Sequence, residues 1–427
     1  MIYLAAFFIY FLGIIEYKLF KIKFSPLMCL FYPVTTILLL KDVLQIKTTS
    51  APVLDSIEYW KILCINCFIF FSISFLFNIN KKRKNDSLNF KYHNRNIYIF
   101  IVILCTLSLC IATFVTINKY GILKIKGNLS GIFAHIYLML SSFMSISFIK
   151  IRKGIFLYIT YFFMIISVSL LLLGTKGNTL LFLLPIFFYF LYKKEKMFSL
   201  KNILIIFIIL VIVFFVFYCT YYINIGNKMN IFQYNKFIIY HLRYYLFSPV
   251  ENGTYFLTLK GDYANGFRIT FRYFINMYEF ITQNKNYVTI DQDFALRYNV
   301  VGQVGGIIPE LVVLIGKKQM YMYIFFLGVF SYFIEQLMSK NLEWIFLNFK
   351  LKSCLILCFF ANFFTTYGAM ESIIFSFIIT LIIIKVSKNF TKNKRGDKNE
   401  RNNTCRRIRN KTLSCYKSNI KTNNTNL

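Results

Sequence analysis

Dense apolar runs recur along the whole of this sequence, and they restrict it to one architecture, a set of helices crossing a lipid bilayer. They fall at residues 2–15, 24–40, 60–77, 97–117, 132–149, 155–173, 180–192, 203–223, 320–338, 353–367 and 372–386. An α-helix needs roughly 20 residues to cross about 30 Å of hydrocarbon, and lipid offers no partner for unpaired backbone groups, so such runs fold as helices. Hydrophobic residues make up 57% of the chain and aromatic residues 20%, beyond the usual share of a soluble domain. The expected fold is an all-α polytopic integral membrane protein with about 11 transmembrane helices.

One interior stretch breaks the pattern. Residues 224–318 are too polar and too punctuated to cross a bilayer, and they carry Arg243, Arg268, Arg272 and Arg297 among Glu251, Asp262, Glu279, Asp291, Asp293 and Glu310. Tethers lack the apolar residues needed to pack, whereas this stretch is rich in Tyr and Phe, so it reads as one large, partly helical extracytoplasmic loop. Near its end, 305–316 has the pattern of a helix of about a dozen residues, contains Pro309 and Glu310, and is too short to span, which makes it interfacial or re-entrant. The chain thus divides into helices 1 to 8 over 1–223, the loop over 224–318, helices 9 to 11 over 319–387 and a basic tail over 388–427. That tail holds too few apolar residues to bury a core and reads as disordered.

A net charge of +32 would suggest nucleic acid in a soluble domain, but here the Lys and Arg sit mainly in short connections and in the tail. Positive-inside bias and attraction to anionic membrane lipids explain it more simply, and no nucleic acid is expected. Basic clusters at 18–23, 81–95, 150–153, 193–201, 340–352 and from 385 onward alternate with less basic connections. This alternation predicts an N-terminus outside, a C-terminus in the cytoplasm, and loop 224–318 outside. The first run lacks a basic n-region and a cleavage site, so it reads as a retained helix. Ten cysteines are scattered, most inside apolar runs, and Cys64 and Cys67 form a C-x-x-C with no second pair, so packing is the expectation rather than metal or redox chemistry.

The sequence contains no H-E-x-x-H, Walker loop or G-x-G-x-x-G, and its histidines are His93, His135 and His241. No metal site and no cofactor are expected. Asp291-Gln292-Asp293 has the D-x-D form that can hold a divalent cation, with a solvated turn as the simpler reading. Leu170-Leu-Leu-Leu-Gly-Thr-Lys-Gly-Asn178 carries more chemistry. An apolar helix stops, a lone cation follows, and a new helix starts, which puts Lys176 and backbone N–H groups where an anion is stabilised by both. Snorkelling of Lys176 to the interface is the structural alternative. Arg243 stands among Tyr240, Tyr244 and 246–249, an apolar surround in which a cation needs a partner. Arg268 and Arg272 are spaced i, i+4 and would share one helical face, where pairing with Asp262 or Glu279 competes with substrate binding.

The Leu-Leu-Leu-Gly-Thr-Lys-Gly run resembles the Gly-Ser/Thr-Arg-Gly turn of the O-antigen polymerase family, the Wzy-type oligosaccharide repeat-unit polymerases. Tyr240-His-Leu-Arg-Tyr-Tyr-Leu-Phe-Ser-Pro249 resembles that family's helix and Ser-Pro corner, and Gly305-Gly-Ile-Ile-Pro-Glu310 with the run after it resembles the end of its large loop. The similarity covers roughly 170–333, with Lys176 where Arg is usual and no Arg in the turn 367–371. The resemblance implies a glycosyltransferase of the bacterial cytoplasmic (inner) membrane. Its reaction moves a growing glycan from undecaprenyl pyrophosphate onto another lipid-linked repeat unit, for O-antigen, capsule or other surface polysaccharide. A flippase and a chain-length regulator are the implied partners.

The residues fit that demand independently. A leaving pyrophosphate gains charge, and Lys176, Arg243, Arg268, Arg272 and Arg297 are candidates to stabilise it without metal. The attacking hydroxyl needs a base, for which His241, Glu251 or a loop Asp would serve, with Arg243 beside them in the catalytic set. An O-antigen ligase-like enzyme would share fold and chemistry. A flippase or other transporter of lipid-linked sugars would share the hydropathy but calls for ionisable residues within spans, and these runs are nearly free of charge.

Overall fold

A computed structural model describes residues 1–48, 56–78, 95–120, 132–140, 229–259, 263–284, 286–288, 305–340, 344–362 and 369–385, with isolated positions between 158 and 218 and at 364. It is all-helical among the described residues. Ten helices anchor the description: α1 (Ile2–Phe20), α2 (Pro26–Leu44), α3 (Ile57–Asn78), α4 (Arg95–Tyr120), α5 (Ile231–Phe256), α6 (Tyr263–Thr270), α7 (Arg272–Ile281), α8 (Ile307–Ile315), α9 (Lys317–Lys340) and α10 (Ile345–Leu357). Further helical residues lie at 132–140 and 369–385. The chain divides into two compact units, Met1–Phe377 and Ile378–Leu427, and everything that follows concerns the first.

Among the described residues, five helices are long and apolar enough to cross a membrane: Ile2–Phe20, Pro26–Leu44, Ile57–Asn78, Ile99–Lys119 and Lys317–Ser339. The chain is a helical membrane protein. These helices coincide with the runs at 2–15, 24–40, 60–77, 97–117 and 320–338. Most of the runs at 155–173 and 203–223, half of 132–149 and part of 180–192, with Lys176, Asp291–Asp293, Arg297 and the tail, lie outside the described residues.

Local chemistry sets the helix ends. Ser25 caps α2 by accepting from the Met28 N–H at 3.2 Å, with Pro26 at the first helical position where its missing N–H costs nothing. Lys21 and Gln45 close α1 and α2 in the left-handed conformation. Asn230 and Gln233 form a capping box at the start of α5. In the core, α3 packs against α1, α2 and α9, α2 against α5 and α10, and α8 against α5, α6 and α9. Phe70 of α3 sits at the junction, edge-on to Phe31 and Tyr332.

Three expectations are corrected. The run 353–367 is not a single helix: α10 begins at Ile345 and ends at Leu357, with turns over 358–361. At 13 residues it is about 20 Å long, short of a bilayer. The Ser248-Pro249 pair is no corner, because α5 runs through it to Phe256 with Pro249 buried inside the helix. Proline removes one backbone hydrogen bond there, and close packing on both sides holds the helix together. Arg268 and Arg272 do not share one helix, since Phe271 (φ −103°, ψ 15°) separates α6 from α7, leaving Arg268 exposed and Arg272 buried.

Candidate functional site

The polar interior segment folds onto the spans through α5 and α8. The first half of α5 is largely exposed, while residues 247–254 are buried on every side. Gly253 permits this: a Cβ there would stand 2.8 Å from the Gly305 carbonyl oxygen and 2.9 Å from the Pro309 ring. The short helix expected at 305–316 is present as α8, nine residues and about 14 Å long, too short to span.

Its start is held by backbone that is not helical. Gly306, at φ 73°, turns its N–H to the Phe360 carbonyl at 3.3 Å, and Ile307 donates to Cys358 O at 2.9 Å. Glu310 completes the junction, with one carboxylate oxygen accepting from the Gly305 N–H at 3.1 Å and the other from the Asn362 N–H at 3.0 Å. Burial pushes the Glu310 carboxyl up to about 7, against the pull of those two N–H donors. Irregular backbone at such depth persists only where protein groups satisfy it, and this carboxylate is one of those groups.

Glu251 performs the matching task on α5. Its carboxylate accepts from the Thr48 N–H at 2.8 and 3.0 Å and from the Thr48 hydroxyl at 3.0 Å, fastening α5 to the chain just after α2. Asp42 at the end of α2 accepts from Ser56 Oγ at 2.6 Å and Trp60 Nε1 at 2.8 Å, and Lys317 pairs with Glu58, so the ends of α2, α3 and α9 meet here as well.

Among the expected site residues, His241, Arg243 and Glu251 all lie on α5, yet they do not converge. Ten residues separate His241 from Glu251, about 15 Å along a helix. His241 stands in an aromatic row, 4.9 Å from the Phe237 ring and 5.0 Å from Tyr245, which in turn meets Phe360 at 5.6 Å. Arg243 is exposed, so the argument that an apolar surround demands a partner for it does not hold. Arg272 is 5% exposed at the start of α7, and the neighbouring Tyr273 is buried too.

Sequence reasoning passed over His135 and Glu371. His135 Nδ1 lies 2.8 and 3.0 Å from the two oxygens of Glu371, with 53% of the His135 side chain exposed. Tyr273 of α7 is close by, its phenol raised by burial and further by the Glu371 charge. A separation of 236 residues left no local signal, although a lone histidine just after an outer connection was a visible one. Also unexpected are the buried ionisable groups of the spans. Glu16 of α1 accepts from Ser25, Ser74 and Tyr332, and Glu335 of α9 pairs with Lys352 of α10 at 2.8 Å while accepting from Asn348 at 2.7 Å. The premise that the spans are nearly free of charge is therefore corrected.

The C-x-x-C cysteines are free thiols on α3, Cys67 fully buried, in line with a packing role. No protein family, curated protein or solved structure matches the chain.

Proposed function

We propose that this chain is a membrane glycosyltransferase that polymerises undecaprenyl-pyrophosphate-linked oligosaccharide repeat units into a surface polysaccharide on the outer side of the bacterial cytoplasmic membrane. The observation that carries the reading is the burial of Glu251 and Arg272 in a segment too polar to span, with Glu310 of the same segment half-buried. A tether has no reason to bury charge, whereas a cap that must bind and orient a charged substrate does. The resemblance of the 170–178 turn and of the segments around 240–249 and 305–310 to the O-antigen polymerases supplies the reaction class. Lys176 and Arg243, with Arg268, Arg272 and Arg297, are assigned to the pyrophosphate, and His241 and Glu251 remain candidates for proton transfer. Because α5 separates those two, and Thr48 already occupies Glu251, Glu251 is the weaker candidate.

The test is glycan length in cells lacking the gene and carrying single variants. Lys176→Ala and Arg243→Ala should abolish long glycan while the protein still inserts, and Lys176→Arg should retain it. Normal chain length in both alanine variants would remove these residues from the site. Reporter fusions at Lys84, Lys260 and Lys394 check the orientation, with the loop outside and the other two inside. The second reading, a transporter of lipid-linked sugars, is favoured by the ionisable residues Glu16 and Glu335 buried within spans. It predicts movement of the lipid-linked unit with no new glycosidic bond.

A further inference from the structure

We propose that His135 is the general base that takes the proton of the attacking sugar hydroxyl, with Glu371 as its positioning residue; this rests on the polymerase reading above. Helix 132–140 buries Ala134 and Tyr137, and Tyr137 joins Val102, Cys105 and Leu109 of α4 in one apolar cluster. That seating turns His135 away from the core, half exposed and with its ring held at Nδ1 by a carboxylate. A carboxylate only accepts, so Nδ1 donates to Glu371, and in the neutral ring the lone pair then lies on Nε2. Among the described residues none bonds Nε2. This is the arrangement a base needs: an oriented ring, a fixed tautomer and an open acceptor nitrogen.

The position suits the reaction as well. Glu371 is near enough to the Tyr273 phenol of α7 to raise it, and the buried Arg272 precedes Tyr273 in the chain. By contrast His241 is held in ring contacts with Phe237 and Tyr245. In the step itself, the acceptor oxygen forms a bond to the anomeric carbon of the donor glycan. The bond from that carbon to the pyrophosphate oxygen breaks, and its electron pair leaves with the pyrophosphate. The hydroxyl proton ends on His135 Nε2, and the imidazolium then yields it to water. Glu371 is buried, so losing His135 from a purely structural dyad would show as lower stability rather than as a loss of kcat that imidazole restores.

The experiment uses the full chain reconstituted in vesicles with the host's own lipid-linked repeat unit, isolated from cells lacking the gene. His135→Ala should lower kcat for elongation by about 10²- to 10⁴-fold with little change in KM, and added imidazole should restore part of the lost rate. Glu371→Gln should give a smaller loss, again in kcat. Should His135→Ala fail to fold, His135→Gln carries the same readout. Elongation within about twofold of wild type in either His135 variant overturns the assignment, as does a loss expressed in KM that imidazole does not restore. Absence of elongation by the wild-type protein is a different result, and it strikes the polymerase reading rather than the base.

Discussion

Glu251 and Glu310 at one end of the bundle, and Glu16 and Glu335 at the other, are four carboxylates, three buried and Glu310 half-buried, with different kinds of partner. The first two accept from backbone N–H groups of Thr48, Gly305 and Asn362, in stretches that are not helical. The second two accept from side chains on packed helices: hydroxyls of Ser25, Ser74 and Tyr332, the amide of Asn348 and the ammonium of Lys352. The difference is one of backbone. Where the chain leaves the helix inside the protein, orphan N–H groups require acceptors, and carboxylates supply them. Where the helices run on, all backbone groups are satisfied internally and the carboxylates can only fasten one helix to another. At this same end α6 packs against α8.

Breaking each end separately sharpens this contrast. The largest effect belongs to the helix-fastening end. Lys352→Ala leaves Glu335 buried beside Asn348 without its countercharge, and should cost about 3–5 kcal/mol, read as a fall in the melting temperature of the detergent-solubilised protein. Replacing both partners with apolar residues should recover most of that loss.

Next comes Glu310, with the sign fixed by its direction of shift. A carboxyl raised from 4.5 to about 7 favours the protonated form in the folded state. Its contribution to stability is thus full below about pH 4.5 and is lost as pH rises through about 7, for a total of about 3 kcal/mol. Glu310→Gln should flatten that dependence in melts between pH 5 and 8. An equal slope in wild type and variant would show that another group sets it.

Glu251→Ala follows, removing the acceptor for Thr48 at a cost of about 1–3 kcal/mol. Glu251→Gln keeps an oxygen for the Thr48 N–H and should cost less. If Glu251→Gln folds and elongates normally, its role is the tie to Thr48, and loss of elongation with an unchanged melt would return it to the chemistry. A comparable effect is expected at Gly306, whose φ 73° and ψ 159° are open essentially to glycine alone and where a Cβ would stand 3.0 Å from the Phe359 carbonyl oxygen, so Gly306→Ala should cost about 1–3 kcal/mol in the melt and loosen the start of α8.

Five spanning helices and the short α8 were legible because each is written in one continuous stretch, as apolar length or as its lack. The capping box at Asn230 and the closing glycines of α8 are local signals of the same sort. What escaped the sequence is what joins distant stretches. Thr48 meets Glu251 across 203 positions and His135 meets Glu371 across 236, and no local pattern encodes either pairing. Isolated charges near run ends, such as Glu16, Glu335 and Lys352, read as interfacial by position, and only packing of several helices shows them buried. The break at Phe271 was hidden for a related reason: the aromatic pattern of Phe267, Phe271 and Phe274 continues across it while the backbone does not.

The most direct test of the proposed activity is a purified, reconstituted chain given lipid-linked repeat units in the presence of EDTA, with products separated by glycan length. A ladder of lipid-linked oligomers differing by whole repeat units, weakened when Arg268 and Arg272 are neutralised, is the expected result. An unchanged repeat unit, or elongation that requires Mg²⁺ and disappears in Asp291→Asn or Asp293→Asn, would contradict it.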